Sequence, residues 1–330
     1  MLAVAFVTSA CSASEATPSA AVVATPGSSV LPATAAAPLP TQSLAPSLAP
    51  LPGGRLAYGV FSPSGLALFT TNVDGTDTQP LLPLPKEAEQ PRWSPDGRRL
   101  SVVIGSALVG NGLVNPDGSH FVPFKNPDRT LNLGCTGWSP DGLRLACGGW
   151  TWSEADHARN GIYTVRATDG RDLIRVTSPG GAFDGPGDYS PDGRQILFRR
   201  SIGLDDELGT LMVVNVDGSN AHVLTDQKVG LDNRWSPDGL TILTDQGGSL
   251  RLVPVDGGPI STIRIDASPT VNASRAAWSP DGNWIVFTGI QSTSAGEDLY
   301  IVRKDGTNLH QITNTPGVDE EFGAWGVAAP

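Results

Sequence analysis

The stretch WSPDG, residues 93–97, recurs along this chain of 330 residues and sets the spacing of its other features. Three further copies are identical, one has tyrosine in place of tryptophan, and an isolated tryptophan near the end adds a sixth aromatic. The six repeat aromatics are Trp93, Trp138, Tyr189, Trp235, Trp278 and Trp325. They are 43 to 51 residues apart, a period typical of the blades of a β-propeller.

Each copy of the motif predicts a tight hairpin turn. Proline presets φ for the first corner, aspartate tolerates the second, and glycine takes the left-handed position that closes the turn. The aromatic ends one strand, and an alternating apolar stretch such as residues 100–104 begins the next. A second turn signal, centred on Asp-Gly, occurs once per repeat, for example at Asp74-Gly75 and Asp305-Gly306. Each repeat therefore supplies four strands.

The two ends of the array predict how the ring closes. Residues 66–75 run straight into the first Asp-Gly turn with no room for two strands, so residues 55–61 are read as a second strand and the first unit lacks its inner strand. Residues 321–327, which include Trp325, form a spare strand after the last unit. We expect this C-terminal strand to complete the N-terminal blade, because closure leaves no long exposed edge. The predicted fold is all-β, a six-bladed β-propeller with four-stranded blades over residues 53–330.

The repeats resemble the WD40-like, or PD40, repeats of the TolB-type six-bladed β-propellers. The resemblance covers roughly residues 54–327 and rests on the five Ser-Pro-Asp-Gly copies at blade spacing. TolB has an α/β domain ahead of the propeller and binds partner lipoproteins of the cell envelope, whereas a low-complexity tract stands in that place here. The resemblance therefore implies a propeller fold and leaves the partner undefined.

The first 52 residues predict an exported and tethered protein. Residues 12–52 are almost wholly Ala, Pro, Ser, Thr, Val and Leu, with Glu15 the one charge, a composition typical of a flexible tether. Residues 1–11 end in Thr-Ser-Ala-Cys, which resembles a bacterial lipobox with Cys11 as the lipidated residue. The apolar stretch before Cys11 is short and has no Lys or Arg ahead of it, as in a truncated signal. The alternatives to a lipoprotein signal are a plain secretory signal and a cysteine that occurs there by chance.

The other two cysteines flank one of the motif turns. Folding the hairpin about residues 139–142 brings Cys135 opposite residue 146 or 147, so its sulfur can meet that of Cys147. An even pair in an exported domain favours a disulfide, and two buried free thiols are the alternative.

Composition excludes several classes of function. The net charge is −11 and Lys and Arg are not clustered, which argues against a nucleic-acid partner. No apolar stretch of about 20 residues occurs, so a membrane attachment would come from the lipid alone. The chain has no Gly-x-Ser-x-Gly elbow, phosphate loop, dinucleotide fingerprint, His-Glu-x-x-His or Cys-x-x-Cys. An enzymatic site built from loops leaves no such motif, so activity stays open, with no cofactor predicted.

The loops predict which face binds a partner. In a four-stranded blade both tight turns emerge on one rim, here called the turn rim. The loops between the second and third strands and between blades emerge on the other, the variable rim, and include the long segments 148–160, 178–188, 201–208, 290–297 and 314–321. Loops carry function when a rigid scaffold presents them, so we expect binding at the variable rim and at the mouth of the axial channel.

Two groups of candidate binding residues follow. The loop 148–160 contains indoles that could stack on a sugar or anchor a protein, beside charged side chains: Trp150, Trp152, Glu154, Asp156, His157 and Arg159. Ordinary inward packing of one indole is the alternative. The second group consists of charged residues just before the repeat aromatics: Arg92, Asp188, Arg234 and Arg275. At the channel mouth the arginines would suit an anionic ligand. Alternatively, the arginines pair with acids of neighbouring blades.

Acidic residues offer weaker candidates. The runs 205–207 and 319–321 could hold calcium, although solvated loop charges are the alternative reading. The aspartate of each motif copy is expected to cap backbone N–H groups inside its own turn.

The sequence favours a monomeric, exported, lipid-anchored propeller that acts as a non-catalytic scaffold for an envelope or cell-surface protein or peptide. The alternative is an extracellular carbohydrate-binding propeller, or a hydrolase or lyase with a loop-built site at the channel mouth.

Overall fold

A computed structural model describes residues 51–327 except the short segments 63–64, 82–83, 85–86, 106–109, 153, 204–205, 207, 267–270 and 292–295. The predicted lipobox, with Cys11, and most of the predicted tether lie outside the described residues. The described chain is all-β, with six sheets of four antiparallel strands and one short 3-10 helix. None of its helices is long and apolar enough to cross a membrane.

The first three blades follow one another along the chain. Blade 1 contains β1 (Arg55–Ser62), β2 (Gly65–Asn72) and β3 (Gln79–Pro80). Blade 2 contains β4 (Ala88–Trp93), β5 (Leu100–Ile104), β6 (Gly110–Val114) and β7 (Val122–Pro123). Blade 3 contains β8 (Asn132–Trp138), β9 (Arg144–Trp150), the 3-10 helix (Glu154–Arg159), β10 (Gly161–Arg166) and β11 (Ile174–Arg175).

The remaining blades repeat the same order. Blade 4 contains β12 (Phe183–Tyr189), β13 (Gln195–Ser201), β14 (Gly209–Asn215) and β15 (His222–Val229). Blade 5 contains β16 (Asn233–Trp235), β17 (Thr241–Gln246), β18 (Ser249–Pro254) and β19 (Ser261–Thr262). Blade 6 contains β20 (Val271–Trp278), β21 (Trp284–Gln291), β22 (Asp298–Arg303) and β23 (His310–Gln311). The last strand is β24 (Asp319–Gly326).

The ring closes through the last strand. β24 pairs antiparallel with β1, with Leu56 opposite Trp325 and Phe61 opposite Asp319, so the sheet of blade 1 runs β24-β1-β2-β3. Each inner strand also contacts the inner strands of the blades on either side, all the way round. The predicted six-bladed ring and its closure are confirmed.

The motif turns have the same chemistry in all five copies. The serine Oγ donates to Oδ1 of the aspartate two residues later over 2.6 Å. The same Oδ1 accepts a backbone N–H two residues further on at 2.9 to 3.1 Å. The glycines have φ between 67° and 73°, the left-handed region that favours glycine. Each aspartate therefore acts within its own turn: Asp96, Asp141, Asp192, Asp238 and Asp281.

The core lies between neighbouring blades, and the repeat aromatics pack there. Trp93 donates its indole N–H to the carbonyl of Ala324 in blade 1, and Trp138 donates to the carbonyl of Arg92 in blade 2. Burial of such large apolar side chains supplies the main stabilisation of the ring. The inner-strand ends are consequently held at fixed positions around the axis.

Candidate functional site

A cavity of about 220 Å³ lies on the axis, and all six inner strands contribute side chains to its wall. Five of the repeat aromatics line it: Trp93, Trp138, Trp235, Trp278 and Trp325. The turn residues Pro237, Ser279 and Pro280 line it as well, which places the cavity at the turn-rim end of the channel. We call it the axial cavity.

Three of the predicted channel residues, Arg92, Asp188 and Arg234, meet in the axial cavity. Each directly precedes its repeat aromatic, and that aromatic ends the inner strand at the turn rim. The structure therefore separates these residues from the variable rim, with which the sequence analysis had grouped them.

A charged cluster crosses the channel at this level. Arg92 Nη2 donates to Asp232 Oδ1 over 3.1 Å, and Arg234 Nη2 donates to the same oxygen over 2.9 Å. Arg92 belongs to blade 2 and Asp232 precedes β16 of blade 5, the blade opposite in the ring. Sequence reasoning missed Asp232; it lies three residues before Trp235, the position that Arg275 occupies before Trp278.

Burial shifts the protonation equilibria of this cluster. It lowers the pKa of Arg92 to about 9, and the positive charge of Arg234 acts in the same direction. It also raises the pKa of Asp188, against the opposing effects of Arg234 and of the hydrogen bond that Asp188 accepts from the backbone N–H of Trp235. The side chains of Arg92, Arg234 and Asp232 are only 10 to 15 % exposed, so the charges of the cluster interact strongly.

Arg275, the fourth predicted channel residue, lies apart from the axial cavity. Its Nη1 is 3.2 Å from Glu297 and 3.3 Å from Glu321, and its guanidinium lies 4.9 Å from the centre of the Phe322 ring. Glu297 comes just before β22, in the loop that follows β21, so this pairing lies towards the variable rim. Burial raises the pKa of Glu321 to about 7 despite the nearby Arg275. For Arg275 the structure shows pairing with acids of its own and the neighbouring blade.

The two predicted indoles at the loop after β9 differ in their exposure to solvent. Trp150 is buried at the end of β9, whereas Trp152 is 64 % exposed and meets the Trp150 ring edge-on at 6.3 Å. His157 packs its ring against Phe183 at 5.3 Å. The side chains of Glu154 and Asp156 lie outside the described residues.

Arg159, the last predicted residue of this loop, is tied to the preceding blade-to-blade connection. It pairs with Asp128 and donates to Thr130 Oγ1 over 2.8 Å. It therefore fastens the short helix to the segment that leads into β8.

The acidic run 319–321 is part of β24 and not a loop, which corrects its predicted place on a loop of the variable rim. Asp319 accepts the backbone N–H of Glu297 over 3.0 Å, Glu320 is buried, and Glu321 pairs with Arg275. In the run 205–207, Asp206 accepts the backbone N–H groups of residues 202 and 203. In the part of the chain that the structure describes, no three His, Cys, Asp or Glu side chains are grouped to hold a metal ion.

The cysteines flanking the blade 3 turn are paired. Cys135 on β8 and Cys147 on β9 stand opposite each other in the strand register and form a disulfide. The bond joins the inner strand and the second strand of blade 3.

Sequence reasoning also missed a set of exposed apolar side chains on the variable rim. Ile202 is 90 % exposed and Leu231 is 57 % exposed, and Leu208 is exposed as well. Ile202 and Leu208 flank the loop between β13 and β14, and Leu231 lies in the connection from blade 4 to blade 5. Together with Trp152, in the loop between β9 and β10 of blade 3, they lie on one rim of the propeller, and we call this set the apolar rim patch.

No protein-family model and no curated protein sequence matches the chain. Solved structures do match its fold. TolB from Acinetobacter baumannii superposes with a TM-score of 0.65 at 19% identity, over 83% of this chain and 67% of that one. A protein assigned as TolB from Agrobacterium tumefaciens gives 0.58 at 19% identity, over 83% and 91%. Oligogalacturonate lyase from Vibrio parahaemolyticus gives 0.51 at 14% identity, over 79% and 74%.

These similarities establish the fold alone, because proteins with different activities share this fold. Six four-stranded blades, a closing C-terminal strand and the superposition on TolB structures agree with one another. In its fold, the chain is a TolB-type six-bladed β-propeller.

Proposed function

We propose that this protein is an exported, monomeric, non-catalytic propeller that binds a protein or peptide of the cell envelope on its variable rim. The observation that carries the proposal is the apolar rim patch, in which Trp152, Ile202, Leu208 and Leu231 are exposed on loops of the same rim. Large apolar side chains exposed on one face of a domain favour an interaction site there, since a partner removes them from water. Tryptophan is one of the side chains enriched among the residues that dominate such interfaces.

Export and anchoring are the second part of the proposal. The Cys135–Cys147 disulfide fits an oxidising compartment outside the cytoplasm, and the sequence around Cys11 resembles a lipobox. We therefore propose that Cys11 carries a lipid and that residues 12–52 tether the propeller to the membrane. Mass spectrometry of the protein from native membranes should give an N-terminal peptide that starts at a lipidated Cys11, and Cys11→Ala should release the protein from the membrane fraction. An unmodified Cys11 would refute the anchor.

Affinity capture from the native cell envelope tests the binding role. The full chain should retain specific proteins that the double variant Trp152→Ala, Ile202→Ala loses, because both side chains are exposed and contribute little to folding. The matched control is Leu143→Ala, Leu240→Ala, which removes side chains 63 % and 68 % exposed on the turn rim. The control variant should retain the same proteins as the unmodified chain.

Two results would contradict the placement of the partner. Equal capture by both variants would move the interface away from the variable rim. Capture of no protein by the unmodified chain would turn attention to glycans, which an exposed indole also binds.

A further inference from the structure

A second cavity, of about 390 Å³, lies between blades 3 and 4, beside the outer strand of blade 3. Its volume falls in the range of about 300–1,000 Å³ that is typical of ligand clefts. The cavity opens to solvent, because several of its wall residues are exposed. We call it the interblade cleft. Two arginines, two hydroxyl side chains and two small residues contribute to its wall: Arg175, Thr177, Ser178, Arg200, Gly218 and Ala221.

Arg175 is held in the wall by carbonyl oxygens. It donates from Nε to the carbonyl of Thr177 over 2.9 Å, and from Nη2 to those of Ala158 and Asn160 over 2.5 and 2.7 Å. Its guanidinium also lies over the Tyr163 ring, 5.8 Å from the centre. No acid in the described part of the chain forms an ion pair with Arg175, and its Nη1 has no hydrogen-bond partner there. The positive charge of Arg175 is therefore fixed in place and uncompensated.

Arg200 is compensated by an acid behind the wall. Its Nε and Nη2 donate to the two carboxylate oxygens of Asp184 over 2.6 and 2.9 Å, and Thr177 Oγ1 donates to the same carboxylate over 2.6 Å. The Asp184 side chain is fully buried, whereas that of Arg200 is 29 % exposed. Arg200 Nη1 has no partner among the described residues and is not sealed from water. Asp184 thus positions Arg200 without facing the cleft.

The charges of the cleft define the ligand. Two guanidinium groups and one buried carboxylate leave a single excess positive charge, in a protein whose net charge is −11. One excess charge suits a singly charged anion better than a dianion such as phosphate. Arginine also matches the planar geometry of a carboxylate. Ser178 is exposed and its hydroxyl has no partner in the described chain, so it adds a further donor. These features together favour a carboxylate.

The interblade cleft adjoins two loops of the apolar rim patch. Arg200 lies two residues before Ile202 at the end of β13. Arg175 donates to the carbonyl of Asn160, whose side-chain Oδ1 accepts the backbone N–H of the residue before Trp152. A molecule that contacts these two loops would therefore have the cleft beside it.

We propose that the interblade cleft binds the carboxylate of an acidic side chain, carried by the protein or peptide that the apolar rim patch binds. Nη1 of Arg175, Nη1 of Arg200 and the hydroxyl of Ser178 donate to the carboxylate oxygens. The inference rests on the partner binding proposed above and adds the chemistry of the partner, an Asp or Glu flanked by apolar residues. A free small carboxylic acid is the other source of the same group.

Selection from a random library of short peptides, with the full chain as bait, tests the proposal. Enriched peptides should combine an acidic residue with neighbouring apolar residues. One of them is then labelled and titrated by fluorescence anisotropy, beside a copy in which Asn or Gln replaces the acid. The acid should bind at least about 10-fold more tightly, the factor expected for hydrogen bonds to a charged group.

The outcomes separate this inference from the binding role itself. Enrichment of apolar peptides without an acid, or equal affinity of the acid and its amide, overturns the carboxylate site and leaves rim binding standing. No enrichment of any peptide contradicts peptide binding and this inference with it. Acetate is added as a competitor at constant ionic strength and should displace the labelled peptide far less tightly than unlabelled peptide does. Equal potency of acetate would identify a free small acid and overturn the assignment to a partner's side chain.

Variants locate the site. Arg175→Gln removes the uncompensated charge and should weaken binding of the acidic peptide about 10-fold, with the affinity of its amide unchanged. Arg171→Gln is the matched control, since it removes the same charge from an exposed arginine of blade 3 that does not line the cleft. Ala221→Glu keeps both arginines and adds a carboxylate at an exposed position of the wall, so it should weaken acid binding even if Arg175→Gln fails to fold. Unchanged affinity in the folded cleft variants would overturn the assignment.

Discussion

Arg92 donates to Asp232 across the axis of the propeller, between blades that stand opposite each other and residues 140 positions apart in the chain. Arg234 converges on the same carboxylate oxygen. Losing one partner of an ion pair that is largely removed from water strongly destabilises the folded protein, because the remaining charge stays buried. Asp232 thus compensates two arginines at once.

Replacing Asp232 with Asn should lower the free energy of unfolding by about 3 kcal/mol, since both guanidinium groups lose their shared anion. Urea denaturation followed by tryptophan fluorescence measures the change. The control is Arg166→Ala, which removes an exposed pair with Asp169 and should leave the midpoint nearly unchanged. Similar midpoints for the two variants would show that the pair across the axis contributes little.

Stability should fall as the pH rises through the range in which Glu320 ionises. Glu320 is buried on β24 beside Asp298, and burial raises its pKa to about 7. Between pH ~4.5 and ~7 the folded state then binds more protons than the unfolded state, so the free energy of unfolding decreases across that window. The total decrease is at most about 1.4 kcal/mol for each unit by which the pKa of Glu320 differs between the folded and unfolded states.

Glu320→Gln should flatten this pH dependence, because the amide does not ionise. Thermal unfolding between pH 5 and 8 measures it. The carboxyls of Glu89 and Glu321, with pKa values raised to about 7 by burial, will leave a residual slope. Asp226→Asn, at an exposed position of β15, should keep the full slope. An unchanged slope in Glu320→Gln would place the pKa of this carboxyl near its ordinary value.

The disulfide of blade 3 should stabilise the domain by about 3 kcal/mol, the chain-entropy expectation for a loop of this length. The sulfurs join positions 12 residues apart. Reductant should lower the urea midpoint of the unmodified chain and leave that of the double variant Cys135→Ala, Cys147→Ala unaffected. Insensitivity of the unmodified chain to reductant would indicate that the bond does not limit unfolding.

The closing strand should be required for a cooperative fold. Ending the chain at residue 318 removes β24, exposes the edge of β1 and uncovers Leu56 and Trp284, which pack with Trp325 in one buried cluster. We expect aggregation or loss of a single unfolding transition. Adding a peptide of residues 316–330 should restore the transition, and a scrambled peptide should not. A cooperative truncated chain would mean that blade 1 is stable with three strands.

The sequence predicted the architecture because turn chemistry is local and its spacing repeats. Proline, aspartate and glycine at fixed positions define each hairpin without reference to the rest of the chain, and counting them gives the blades. Closure followed from the spare strand around Trp325.

The channel contents could not be predicted in the same way. The inner strands contain β-bulges, between Glu89 and Arg92 and between Ser274 and Ala277 for example. A bulge shifts the alternation of side chains, so the face that a residue presents no longer follows from its position in the strand. The Arg92–Asp232 pair also joins residues from opposite blades, which no local pattern reveals. Ile202 and Leu231 were overlooked because single apolar residues in loops carry no periodic signal.

Closure through β24 brings the two ends of the ring together. Arg55 stands opposite Gly326, and Val327 packs against Gly97 in a turn of blade 2, so the chain enters and leaves the ring side by side at the turn rim. A carrier fused directly to residue 55 or to residue 326 would therefore lie on the turn-rim side of the propeller. The loops with Trp152 and Ile202 belong to the opposite rim, so such a fusion would leave them uncovered.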